Sequence, residues 1–194
     1  MSISEVSLAQ SGQPPVSIRK ISFITRLLHW TIATLLIGSF VAAWTFNALE
    51  PGPAAALLVE AHRSVGLVLL GLMLARLAWR LSHSLPELPG NVSRWEKLAA
   101  FTVQAILYGA LLAMPLIGWV GSNAEGDTVQ MFGVWVLPDL VDANKRLAEN
   151  MFSAHSLLGW VVLGLVALHI AGALRHHFIK RDTVLVAMLN GRHS

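Results

Sequence analysis

Four histidines, His29, His62, His155 and His169, sit inside long apolar stretches where an ionisable side chain is costly. Two of them share one stretch, Phe152 to Leu174, which is about as long as a helix that spans a bilayer and contains no Asp, Glu, Lys or Arg. The 14 residues from His155 to His169 correspond in an α-helix to roughly 21 Å of rise, with the two side chains within about 40° of the same face. One helix therefore offers an imidazole near each membrane surface, both pointing the same way. A lone intramembrane histidine often does no more than hydrogen-bond across a helix interface. A stacked pair with counterparts on other helices reads instead as two sites.

The composition fits this setting. The 194 residues are 55% hydrophobic and only 13% charged, with a mean hydropathy of +0.60, which excludes an ordinary soluble domain. The absence of cysteine excludes disulfides, thiolate metal sites and iron–sulfur ligation. A pI near 9.8 does not indicate a nucleic-acid partner, because the basic residues flank apolar segments and are not interleaved with aromatics.

The elements that must position the histidines are four spanning helices, predicted at about 22–46, 57–81, 98–120 and 152–175 within a membrane domain covering 21–181. Residues 1–20 read as a polar, mobile tail. Arg19, Lys20 and Arg26 before the run Leu27 to Phe46 resemble the start of a signal peptide, but the run is too long, and an uncleaved first helix is expected. Pro115 is expected to kink the third helix. The longest connection, Gly121 to Met151, is expected to fold over the membrane surface with Trp135 at headgroup depth. Residues 182–194 form a C-terminal interfacial segment, with a short helix over Asp182 to Leu189 capped by Asp182. The fold class is thus all-α, an integral membrane four-helix bundle. Of the 14 Lys and Arg residues, only Arg63, Lys145 and Arg146 fall on the side opposite the termini, so the positive-inside rule makes both termini cytoplasmic.

Antiparallel helices then pair the histidines by level. His29 and His169 meet near the inner surface, and His62 and His155 near the outer one. Two facing imidazoles can bracket the iron of a haem in an apolar pocket, whereas zinc asks for four ligands and each level offers two. Two haem b groups, with these four histidines as axial ligands to iron, fit better than a metal cage. Gly66 and Gly159 each follow a histidine by four residues, and either clears space for a flat macrocycle or serves small-residue helix packing. Arg63 at the outer level and Arg26 at the inner level are candidates to hold haem propionates; snorkelling toward headgroups is the alternative for both.

His29-Trp30, the run Ala61 to Gly66 (AHRSVG), the loop Phe132 to Pro138 (FGVWVLP), H-x13-H in the fourth helix and the following His176-His177 together resemble a bacterial cytochrome b561, over about Ile21 to Leu189. The resemblance implies a multi-pass, di-haem cytochrome of the bacterial inner membrane that exchanges electrons with the quinone pool. In some members it implies superoxide oxidation at the outer face and quinone reduction at the inner. The haem-bearing anchor subunits of hydrogenases and formate dehydrogenases are similar, so an anchor for a peripheral dehydrogenase or hydrogenase is the alternative function. Members can carry a further histidine in the third helix, where this chain has Gln104 and Tyr108.

Donor and acceptor sites follow from chemistry. A small anionic donor such as superoxide is drawn to outer cations, here Arg63, Lys145 and Arg146; a redox partner protein is the other class of donor. A quinone needs hydrogen-bond donors at the inner bilayer edge, and Arg76, Arg80, His176 and His177 are placed to supply them.

Overall fold

The computed structural model describes residues 21–83 and 93–190, so the expected mobile tail at 1–20, residues 84–92 and residues 191–194, including His193, lie outside the described residues. In chain order the elements are α1 (Phe23–Ala48), α2 (Pro53–Ser82), α3 (Arg94–Glu125), β1 (Gln130–Met131), β2 (Trp135–Val136), α4 (Lys145–Arg175), a π-helical turn (His176–Lys180) and α5 (Val184–Asn190). Four of the helices are long and apolar enough to cross a membrane.

Each start has a local cause. Ser22 caps α1 by accepting from Thr25 N at 3.1 Å, and Pro53 opens α2, where its missing N–H costs nothing. Ser93 and Glu96 form a reciprocal capping box at α3, and Asn144 caps α4 through Leu147 N. Glu96 also pairs with Arg175 and Lys180, tying the start of α3 to the inner end of α4.

The helices outrun the apolar windows. The third extends to Glu125, not about 120, and the fourth begins at Lys145, not 152, so the outer connection shortens to residues 126–144. The extra turns are built from small and polar residues that a hydropathy reading passes over. Gly121, Ser122, Asn123 and Ala124 are all buried, and the Asn123 side chain bonds Asp127 O, Asp139 Oδ1 and Leu140 N at 2.9 to 3.1 Å. Gly126, at φ 97°, ends α3 in the left-handed conformation that glycine adopts without strain.

The remaining outer chain is a small hairpin. Phe132 and Gly133 turn it with positive φ at both positions, and Phe132 N donates to the fully buried Ser64 hydroxyl of α2 at 2.8 Å. Phe132, Val134, Trp135 and Val136 remain exposed on it.

Helices α1 and α2 pack together, α3 packs on α2, and α4 packs on α3. Helix α4 has no comparable packing with α1 or α2. A core of Ile32, Leu69 and Met73, backed by Leu36, Val65, Tyr108 and Leu111, lies between the two histidine levels. Large apolar side chains such as Ile37, Val41, Leu74 and Trp160 face outward, the arrangement expected when lipid is the solvent.

Candidate functional site

Across the gap between α4 and the α1–α2 pair, histidine faces histidine at two levels. At the outer level the rings of His62 and His155 stand 6.0 Å apart between centroids, with their planes 75° apart. At the inner level His29 and His169 stand 6.1 Å apart, at 71°. A metal held by one nitrogen of each ring at about 2.0 Å, with each ring centre about 1.1 Å further out, separates the centroids by about 6.2 Å. Both spacings therefore accept a metal atom between the rings. Among the described residues no three His, Cys, Asp or Glu side chains converge as a metal cage, so the arrangement is two-coordinate from the protein.

The outer pair is aimed from behind. His62 Nδ1 lies 3.0 Å from Ser39 O, and His155 Nδ1 lies 3.1 Å from Met114 O. A carbonyl only accepts, so each Nδ1 carries its ring's hydrogen and each Nε2 keeps its lone pair. Beside these rings is a small cavity of about 50 Å³ lined by His62, His155, Gly66, Leu69, Met114 and Val162 among others. A Cβ at Gly66 would meet nothing within 4 Å, whereas one at Gly159 would lie 3.7 Å from Met114 Cε. Gly66 thus borders open space, and a Cβ at Gly159 would make only an ordinary van der Waals contact with α3.

Gly118 carries no signal in the sequence. A Cβ there would stand 3.2 Å from His155 Cε1, so a side chain on α3 at this point would push the imidazole away. Ser39 O and Met114 O had no signal either, since a backbone acceptor is supplied by every residue.

At the inner level the partner of His29 is a donor. Arg76 NH1 lies 2.9 Å from His29 Nδ1, while Arg76 Nε donates to Tyr108 Oη at 3.1 Å. Arg80 donates to Gln104 Oε1 at 3.3 Å, and both guanidiniums lie over the Tyr108 ring, at 5.9 and 5.5 Å from its centroid. The positions that hold Gln104 and Tyr108 in place of a histidine thus serve to seat two arginines.

The four residues named for a quinone divide between two places at the inner end. Arg76 and Arg80 sit on Tyr108, and His176 and His177 lie in the π-helical turn. His176 follows His169 by seven residues and so stays on the same helix face about two turns further in. Its Nδ1 is hydrogen-bonded to Asp182 Oδ2, whose side chain is 4% exposed. Asp182 also accepts from Val184 N at 3.2 Å, so one carboxylate holds the imidazole and starts α5. His177 Nδ1 is buried with no hydrogen-bond partner among the described residues.

Helix α5 folds back on α1, where Arg26 NH1 donates to Leu189 O at 3.3 Å and Trp30 Nε1 to Met188 O at 3.0 Å. On the outer side Arg63 is ion-paired with Asp127, and Lys145 and Arg146 are exposed in the first turn of α4.

The family described as prokaryotic cytochrome b561 matches residues 20–191, the whole helical region. The chain belongs to the prokaryotic cytochrome b561 family. It is a multi-pass bacterial membrane protein of the b-type haem-binding, electron-transferring class. Cytochrome b561 homolog 2 of Escherichia coli (strain K12) is 30% identical over 168 residues, covering 86% of this chain and 89% of the relative. Cytochrome b561 homolog 1 of the same strain is 30% identical over 169 residues, covering 85% and 94%. A protein named probable superoxide oxidase CybB, from Yersinia pestis, is 26% identical over 174 residues, covering 88% and 96%.

Proposed function

We propose that this cytochrome b561 holds two haem b groups and carries electrons from a donor at the outer face to a quinone at the inner face. The observation that carries the reading is the pair of histidine couples at 6.0 and 6.1 Å, one above the other across the same gap. His62 and His155 would hold the outer haem, and His29 and His169 the inner one. When bound there, haem would supply a one-electron carrier. Gly66 leaves room for the outer macrocycle, and Arg63 and Arg26 are placed for propionates at the two levels.

The donor is a small anion, superoxide in the first instance; the name of the Yersinia pestis relative supports this choice. Two superoxide anions each give up one electron and leave as dioxygen, while one quinone takes two electrons and two protons to become a quinol. Lys145 and Arg146 draw the anion toward the outer face. At the inner face Arg76, Arg80, His176 and His177 offer hydrogen-bond donors to quinone oxygens. Asp182 accepts from His176 Nδ1, so that Nε2, once the ring has taken up a second proton from water, is the atom that meets a quinone oxygen and hands that proton over. In this reading both termini lie in the cytoplasm, which the charge bias supports, and the protein is in the inner membrane.

The test supplies the purified protein with superoxide from a generating system that reduces dioxygen, with and without a ubiquinone analogue, while its visible spectrum is followed. Reduction by superoxide and reoxidation by quinone, with quinol formed in a ratio of one to two superoxide consumed, is the expected result. A spectrum that superoxide leaves unchanged removes that donor, and one that quinone leaves reduced removes the acceptor.

A further inference from the structure

The two levels differ in fixed charge more than in ring geometry. The inner level has three guanidiniums, and the partners holding them contain no carboxylate: Arg26 donates to Leu189 O, Arg76 rests on His29 and Tyr108, and Arg80 on Gln104 and the Tyr108 ring. The described acids at that end are engaged elsewhere, Glu96 with Arg175 and Lys180, and Asp182 with His176. The outer level has one guanidinium beside its histidines, Arg63, and Asp127 pairs with it. Glu60, two residues before His62, adds an acid there and no cation.

Reduction adds one negative charge at a site, and an uncompensated cation in a medium of low dielectric constant stabilises that charge far more than one with a counterion beside it. Arg76 touches the inner pair directly, with NH1 2.9 Å from His29 Nδ1. A guanidinium only donates, so Nδ1 accepts and Nε2 carries the ring hydrogen here; a metal at Nε2 would shift that hydrogen to Nδ1 and open this contact, while the bond from Arg76 Nε to Tyr108 keeps the charge at this level.

We infer that Arg76, backed by Arg80, makes the inner site the more readily reduced of the two and so gives electron flow its inward direction. The inference rests on the di-haem reading. It adds a role for Arg76 separate from quinone binding, because the effect is present with no quinone bound. Arg76 acts through charge on the inner site, as a tuning residue.

A potentiometric titration of the full-length, haem-loaded protein, without quinone and followed in the visible spectrum, tests it. Two one-electron components are expected, and the one lost in His169→Ala should be the one with the higher potential. Arg76→Gln should lower the inner reduction constant about tenfold, which is about 59 mV for one electron, and leave the outer component in place. Arg76→Lys keeps the charge and should restore most of the shift. Arg80→Gln, which leaves Arg76 in place, should move the inner component the same way by less, and decides the matter if Arg76→Gln does not retain the inner haem. A single component in the wild type overturns the di-haem reading and this inference with it. Two components overturn this inference alone if the inner one is the lower, is unmoved by Arg76→Gln or Arg80→Gln, or moves as far with lysine as with glutamine.

Discussion

Gly118 of α3 and His155 of α4 lie so close that one added methyl group at position 118 would stand 3.2 Å from the imidazole Cε1 and 3.3 Å from Nδ1. The same ring is held from α3 by Met114 O at 3.1 Å. Helix α3, which contributes no histidine to either pair, therefore sets the position of the outer one.

Gly118→Ala should displace His155 and weaken the outer haem site. The expected outcome is loss or broadening of the outer component of the reduced spectrum, with the inner component retained. Gly109→Ala is the control: a Cβ there meets nothing within 4 Å, so the substitution should be neutral or stabilise the helix by about 0.5–1 kcal/mol. Visible spectra and thermal unfolding of the two variants check this. Equal spectra for Gly118→Ala and wild type would show that α3 gives way and does not position the ring.

Removing the proton carrier should separate quinone chemistry from haem binding. His176→Ala and Asp182→Asn should each slow quinone reduction, by about 10²-fold for the histidine, with haem content unchanged. Asp182→Asn should slow it less, because asparagine still accepts from His176 Nδ1. Stopped-flow reoxidation of the pre-reduced protein by a quinone analogue measures both.

Steering at the outer face should depend on cations whose charge is free. Arg63 is neutralised by Asp127, so the double variant Lys145→Gln and Arg146→Gln should account for most of the effect. The rate of reduction by superoxide should fall severalfold at low ionic strength and lose its dependence on salt, because attraction over about 10 Å is screened near 0.1 M. Quinone reoxidation should not change. A rate and salt dependence equal to wild type would show that these cations do not guide the donor.

Asn123 fastens the outer connection with three hydrogen bonds while itself 3% exposed. Asn123→Leu leaves those partners without it and should cost about 1–3 kcal/mol. Faster cleavage of the 126–144 segment by an external protease, measured in intact membrane vesicles, is the expected readout.

The levels of the histidines were legible in the sequence because a spanning helix converts residue number into depth with little freedom: 14 residues from His155 to His169 fix both height and face. The same arithmetic brought His62 opposite His155 and His29 opposite His169, and the ring contacts follow that pairing. Helix ends were less legible. Gly121 to Ala124 and the first turns of α4 are helical because Asn123 and Asn144 satisfy backbone and loop groups, and neither contributes to an apolar window. Arg76 was read as an inner-surface cation; its contact with His29 depends on Tyr108 of a third helix, and no spacing within α2 announces that. Asp182 was read as a helix cap, and it is also the partner of His176 because the π-helical turn brings the chain back on itself.

The central claim is that one chain holds two haems, each between one histidine of α4 and one of α1 or α2. Haem per chain, measured by quantifying extracted haem b against protein in the wild type and in His62→Ala, His155→Ala, His29→Ala and His169→Ala, tests it directly. The account predicts two haems in the wild type and one in each variant, with His62→Ala and His155→Ala losing the same spectral component and His29→Ala and His169→Ala losing the other. One haem in the wild type, or His62→Ala and His155→Ala losing different components, would contradict it.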